Sequence, residues 1–95
     1  MPAVNVIAIG AVRKMLGFSQ QSINFEGGTV ADLLRALGTL EGGNLYAHLV
    51  CEGKLRRDFA VLVNGMNLQS DQLETRLEGG EQVVTMAILR HLAGG

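Results

Sequence analysis

The stretch QQSINFEGGTVADLLRALG, residues 20–38, changes its hydrophobic period partway along. From Gln20 to Phe25, Ile23 and Phe25 alternate with Ser22, Asn24 and Glu26, the period of two expected of a strand with one buried face. Beyond the Gly27-Gly28 pair, Val30, Leu33, Leu34 and Leu37 recur at i, i+3, i+4 and i+7, which makes one apolar face of a helix. Thr29 stands where an N-cap belongs, and Asp32 three residues on completes a variant of the capping box. Gly38 is a natural stop. A strand therefore runs through a glycine turn directly into a capped helix.

Outward from that junction, Ala3 to Ile9 is a short apolar run rich in β-branched residues and predicts a buried strand. Gly10 to Gly17 reads as the connection of a hairpin-like opening. On the other side, Asn44 to Cys51 suits either a short helix through Leu45, Leu49 and Val50 or an extended run over Leu49 to Cys51. Phe59 to Val63 predicts a strand, and Asn64-Gly65 after it is the strongest short turn signal in the chain. Leu73 and Leu77, four apart, predict a helical turn covering the sheet, and Gln82 to Leu89 predicts the last strand. Eight of the 13 glycines fall in pairs at 27–28, 42–43, 79–80 and 94–95. The first three pairs separate patterned segments and read as turns. The order strand, strand, helix, strand, short strand, helical turn, strand gives an α+β class with one main helix packed across a mixed sheet. That is the order of the β-grasp, or ubiquitin-like, fold.

At 95 residues the chain has the size of one domain, expected to span residues 1–95 with a flexible Gly94-Gly95 tail. Its 47% hydrophobic residues supply a core without metals or disulfides. Eight basic and nine acidic residues leave a net charge of −1, so no overall field recruits a polyanion, and neither nucleic acid nor an anionic membrane is expected as a partner. The only rings are Phe18, Phe25, Tyr46 and Phe59, too few for a reader that stacks bases. No apolar run approaches the roughly 20 residues of a membrane span. Arg13 and Lys14 follow the apolar stretch Val4 to Ile9 instead of preceding it, the reverse of a secretory signal, which predicts a cytoplasmic protein. A lone Cys51 agrees with a reducing compartment.

The familiar catalytic signatures are absent: no phosphate loop, no dinucleotide-binding glycine fingerprint, no HExxH, and no cysteine pair with zinc spacing. His48 and His91 lie far apart and belong to no recognisable triad, so structural roles are expected for both. Cys51 beside Glu52 is either a reactive thiol or a small core hydrophobe, and the second is expected, because free cysteine is among the most buried residue types. No bound cofactor and no metal are expected.

Chemistry is left to the end of the chain, Leu89-Arg90-His91-Leu92-Ala93-Gly94-Gly95. A carboxylate with two glycines behind it is the least hindered acyl group a protein can present, since no Cβ blocks approach to the carbonyl. With a pKa of about 3.5 it is an anion at neutral pH and a poor electrophile. Adenylation by ATP turns it into a mixed anhydride, from which a thiol or persulfide displaces AMP on the way to a thioester or thiocarboxylate on Gly95. No catalytic side chain on this chain is needed.

Several segments in order resemble the MoaD branch of the MoaD/ThiS sulfur-carrier family. They are Ile9 to Gly17 with Arg13 in a loop after the first strand, Thr29 to Leu34 at the helix start, Glu52-Gly53-Lys54-Leu55, Val63-Asn64-Gly65, and Leu77-Glu78-Gly79-Gly80-Glu81-Gln82-Val83. The resemblance spans most of the chain. It implies that sulfur is carried as a C-terminal thiocarboxylate, with Gly95 as the adenylated residue and Gly94 behind it. It also implies a MoeB-like adenylating enzyme that uses ATP, a separate sulfur donor, and a MoaE-like large subunit. The two subunits would form a molybdopterin synthase. Arg90, His91, Leu92, Ala93 and Arg13 would be the partner-binding residues.

The end of the chain departs from the family in lacking prolines shortly before Gly-Gly and in being a few residues longer. Arg90 near such an end is also reminiscent of ubiquitin-type modifiers, whose last glycine becomes attached to lysines. A third reading is a β-grasp interaction subunit whose terminal glycines are incidental. Arg13 is either a solvated turn residue or a partner contact. The apolar residues Val83, Val84, Met86, Ile88 and Leu89 exceed what a strand with one buried face requires. Either they form an exposed docking strip beside the tail, or both faces of that strand are covered.

Overall fold

In β1 (Ala3–Ile9) every second residue is fully inside: Val4, Val6 and Ala8 are buried, while Ala3, Asn5 and Ile7 are half-buried. The computed structural model describes residues 3–25, 28–77 and 84–90. The remaining elements are α1 (Ala11–Leu16), β2 (Gln20–Asn24), α2 (Val30–Ala36), α3 (Leu45–Leu49), β3 (Val50–Cys51), β4 (Lys54–Leu55), β5 (Phe59–Val63), β6 (Met66–Asn67) and β7 (Val84–Arg90). Among the described residues the main sheet has five strands in the order β2-β1-β7-β5-β6, and β3 with β4 forms a separate two-stranded ribbon. The central pair, β1 with β7, is parallel and runs in register from Val4 opposite Val84 to Ile9 opposite Leu89. Every other pairing in the sheet is antiparallel.

The inward residues of β1 and β7, the Val30, Ala31, Leu33 and Leu34 face of α2, Leu45 and Leu49 of α3, and Leu68, Leu73 and Leu77 join in one apolar cluster. No polar side chain among the described residues is buried. The α+β sheet with its main helix is the expected architecture.

The cap read from Thr29 and Asp32 is present in both directions. The Asp32 N–H donates to Thr29 Oγ1 at 3.1 Å and the Thr29 N–H donates to Asp32 Oδ2 at 3.0 Å. Gly38 lies just past the helix, but Leu37, extended at φ −87°, is the C-cap. Asn44 caps α3 through its side chain, which accepts from the Ala47 N–H. Both readings of residues 44–51 thus apply in sequence, helix first and strand after. Asn64 (φ 51°) and Gly65 (φ 84°) make the left-handed turn between β5 and β6, as their dipeptide predicts.

Two expectations fail. Residues Gly10 to Gly17 are not a plain connection but contain α1, whose Val12 and Leu16 are buried one helical turn apart. The glycines at its ends have φ of 62° and 85°, and the Gly17 N–H donates to the Arg13 carbonyl at 2.8 Å to close the last turn. The region of Leu73 and Leu77 holds no helical turn. Both side chains are buried as a helix would bury them, yet the backbone groups are engaged elsewhere. The Leu73 and Thr75 carbonyls accept from Ala31 and Val30, and the Leu77 N–H donates to Gly28. Those partners satisfy the open first turn of α2, and a helix over 73–77 would have used the same Leu73 carbonyl internally. The last strand extends to Arg90; its expected first residues, Gln82 and Val83, lie outside the described residues.

Thr29→Ala should lower the unfolding free energy by about 1 kcal/mol in urea titration, the usual cost of losing an N-cap acceptor. The Asp32 carboxyl is held below its ordinary value first by the Thr29 backbone N–H, then by the Thr29 hydroxyl and Arg35. A depressed pKa contributes stability above the unfolded value of about 3.9, and that contribution is lost as pH falls through the folded one. Asp32→Asn should therefore flatten the decline of Tm on acidification below about pH 4.

Candidate functional site

Three segments meet at one end of the sheet, and the pairing register brings them there. Because Ile9 is opposite Leu89, β1 leaves the sheet into Gly10 and α1 beside the point where β7 finishes. Because Phe59 is opposite Arg90, β5 enters on the other side of that point. The helix α1 packs against both β1 and β7. Arg13, in its last turn, is exposed. Of the residues expected at the site, Arg90 closes β7 and Arg13 lies on the helix that packs against β1 and β7. His91, Leu92, Ala93, Gly94 and Gly95 lie outside the described residues.

Arg90 does not stand alone. Its Nε is 3.5 Å from Asp58 Oδ2, and its guanidinium lies over the Phe59 ring, 5.8 Å from the centroid. The other oxygen of the same carboxylate, Asp58 Oδ1, is 3.5 Å from Arg56 Nε. Asp58 thus spans two guanidinium groups where β7 ends. Sequence reasoning missed Arg56, Asp58 and Phe59. The signal available was the run Arg56-Arg57-Asp58-Phe59 leading into a predicted strand, which has no meaning until the register places it opposite Arg90.

The faces of β7 settle how its surplus of apolar residues is used. Val84, Met86 and Ile88 are buried, while Thr85, Ala87 and Leu89 on the other face are half-buried. The neighbouring outward residues are Ile7 and Ile9 of β1 and Leu62 of β5, with Ile9 48% exposed. The outward face is neither fully covered nor a bare hydrophobic strip. It is an apolar band, partly open, that runs toward the end of β7.

His48 is half-buried and lines a cavity of about 190 Å³ with Lys14, Met15, Thr39 and Glu41. Among the described residues no group of three or more His, Cys, Asp or Glu could hold a metal ion. No helix of the described chain is long and apolar enough to cross a membrane. The expectation that Cys51 is a core residue is wrong, since the thiol is exposed. It sits at the end of β3, where Glu52 (φ 54°) and Gly53 (φ 78°) turn the ribbon back to Lys54. Of the four ribbon residues, Leu55 is buried in the core and Val50 packs against it, while Cys51 and Lys54 are exposed.

The model of the ThiS family matches residues 6–95. No curated protein sequence matches significantly. Among solved structures, a chain of the Amycolatopsis orientalis BexX/CysO complex is 30% identical with a TM-score of 0.67, covering 97% of this chain and 99% of its own. The small archaeal modifier protein 1 of Methanosarcina acetivorans is 25% identical with a TM-score of 0.71, covering 100% and 98%. A Pyrococcus furiosus protein described as molybdopterin converting factor, subunit 1, shares the fold at 17% identity and a TM-score of 0.64, covering 97% and 100%.

With Cys51 on the surface, a thiol reagent should titrate one cysteine in the folded protein without denaturant. Cys51→Ser should change the unfolding free energy by no more than about 0.5 kcal/mol, as for other surface substitutions.

Proposed function

The chain belongs to the ThiS family, and from that membership we propose that it is a sulfur carrier of the MoaD type, acting through its terminal carboxylate on Gly95. A MoeB-like enzyme adenylates that carboxylate, forming the acyl-phosphate bond to AMP and releasing pyrophosphate. A sulfide-level donor then displaces AMP, so that one carboxylate oxygen leaves with the AMP and sulfur takes its place on the Gly95 carbonyl. The thiocarboxylate is delivered to a MoaE-like large subunit for molybdopterin synthesis, the route to a molybdenum or tungsten cofactor. The chain is a protein cosubstrate and not an enzyme by itself. ATP is bound by the activating enzyme, this chain holds no cofactor or metal, and the exchange takes place in the cytoplasm.

The observation that carries this reading is the position of β7. It lies between β1 and β5, held on both sides up to Leu89 and Arg90, and the family match continues from it through Gly95. The fold is thus firm up to the root of the segment that carries the chemistry. Gly94 and Gly95 add no Cβ to obstruct a narrow channel in a partner. In this reading Arg13, Arg90, His91, Leu92 and Ala93 are the partner-binding residues.

A second reading is favoured by the 25% identity to a small archaeal modifier protein. Adenylation is common to both readings, and they divide only when an amine replaces sulfur as the acceptor. The product is then an isopeptide between Gly95 and a lysine.

Incubation with the cognate adenylating enzyme, ATP and either sulfide or a persulfide donor with a thiol reductant should raise the intact mass by the difference between sulfur and oxygen. Deleting Gly95 should abolish the gain and leave Tm unchanged, because chain termini contribute little to a core. Gly94→Ala should slow sulfur transfer and also leave Tm unchanged. An undiminished mass gain in the truncated protein would contradict the assignment.

A further inference from the structure

The turn Arg56-Arg57-Asp58 has no part in the fold's core and none in the chemistry of Gly95, yet it is built firmly against the root of the tail. Its first residue is tied down by the Arg56 N–H, which donates to the Leu49 carbonyl at 2.8 Å. It is closed by the Phe59 N–H, which donates to the Arg56 carbonyl at 3.1 Å. Asp58 is only a third exposed, and its two oxygens take one guanidinium each, both through Nε. A guanidinium carries five N–H donors in a rigid fork, so an arginine engaged at Nε keeps its terminal amino groups for a second carboxylate. Arg56 and Arg90 are more than half exposed at their side chains, and Arg57 between them in the turn is exposed too.

The charge balance of this end is opposite to that of the whole chain. Arg56, Arg57 and Arg90 stand here around Asp58, three cations to one carboxylate within the cluster. The net charge of the chain is −1, so this is a local basic rim on a weakly acidic molecule. Ion pairs of 3.5 Å on an exposed surface contribute little to stability. The work of Asp58 is then to align the two arginines. Such a rim complements an acidic protein surface, and charge complementarity across an interface governs encounter and partner choice.

We propose that Arg56, Arg57 and Arg90, aligned by Asp58, form a docking surface for an acidic face of the adenylating enzyme. This inference rests on the sulfur-carrier reading, since it names a recognition surface for the enzyme that acts on Gly95. A nucleic acid would also answer to a basic rim. It is disfavoured because Phe59, the ring among the described residues of the rim, is buried under Arg90 and offers no stacking platform.

The test is pyrophosphate exchange by the cognate adenylating enzyme, with this protein as the varied substrate. Arg56→Glu with Arg57→Glu should raise KM about tenfold, with the loss falling on KM rather than kcat, as for removed uniform binding. The milder pair Arg56→Ala with Arg57→Ala should raise KM severalfold and make it less sensitive to added salt. Both residues are exposed, so Tm should stay within a degree or two. A KM indifferent to charge reversal, with the wild type adenylated normally, would overturn the docking surface and leave the carrier reading intact. Salt-sensitive binding of a mixed-sequence oligonucleotide, lost in the reversed variant while KM is unchanged, would assign the rim to nucleic acid instead. No exchange with the wild type would overturn the carrier reading, and the docking surface with it.

Discussion

The parallel pairing of β1 with β7 is the constraint on which the rest of the structure depends. It joins residues some eighty positions apart in sequence, from Val4 opposite Val84 to Ile9 opposite Leu89. Parallel neighbours cannot be joined by a tight turn and need a long crossover. Here that crossover includes α2 and α3, the β3–β4 ribbon and the β5–β6 hairpin. The pairing sets both central strands with their alternate residues facing one core, Val4, Val6 and Ala8 beside Val84, Met86 and Ile88. It also decides where the chain finishes. A last strand parallel to the first ends where the first one leaves the sheet, so α1 and the β4–β5 turn flank the root of the terminal residues.

From this follows a division between a firm body and a reactive end. The interior is wholly apolar among the described residues, with no buried polar side chain. Where β7 ends, the described surface carries the Arg56–Asp58–Arg90 cluster, and the partly open apolar band of Ile7, Ile9, Ala87 and Leu89 leads toward it. Such a body suits a protein that is acted upon. In the proposed carrier role, a partner would hold the body while Gly95 reacts, and the fixed place of Arg90 in the sheet would set where the last residues leave the body.

Local chemistry was legible in the sequence wherever one short segment decides its own conformation. Thr29 with Asp32, Asn64 with Gly65, and the alternation about Ile23 each specify a cap, a turn or a strand through neighbours a few residues away. Legibility failed where distant groups decided the outcome. Leu73 and Leu77 have helical spacing, but the Leu73 carbonyl accepts from the Ala31 N–H, the Leu77 N–H donates to the Gly28 carbonyl, and Thr75 between them accepts from Val30. Gly10 to Gly17 hid a helix because six residues between two glycines give too short a pattern to register, although Val12 and Leu16 carry it. Cys51 obeyed its exposed ribbon and not its usual preference for burial. The terminal Gly-Gly could be read directly, whereas the Asp58 cluster could not, since its partner Arg90 is more than thirty residues away and only the β5–β7 register joins them.

The central claim is that Gly95 carries sulfur and returns as a free carboxylate, without becoming attached to other proteins. Intact-mass and peptide mass spectrometry of the protein recovered from its native cells tests this most directly. The account predicts a mixture of free carboxylate and thiocarboxylate at Gly95, with the protein found in non-covalent complexes that denaturant dissolves. Gly95 in amide linkage to lysines of several proteins, as adducts that survive denaturant, would contradict it.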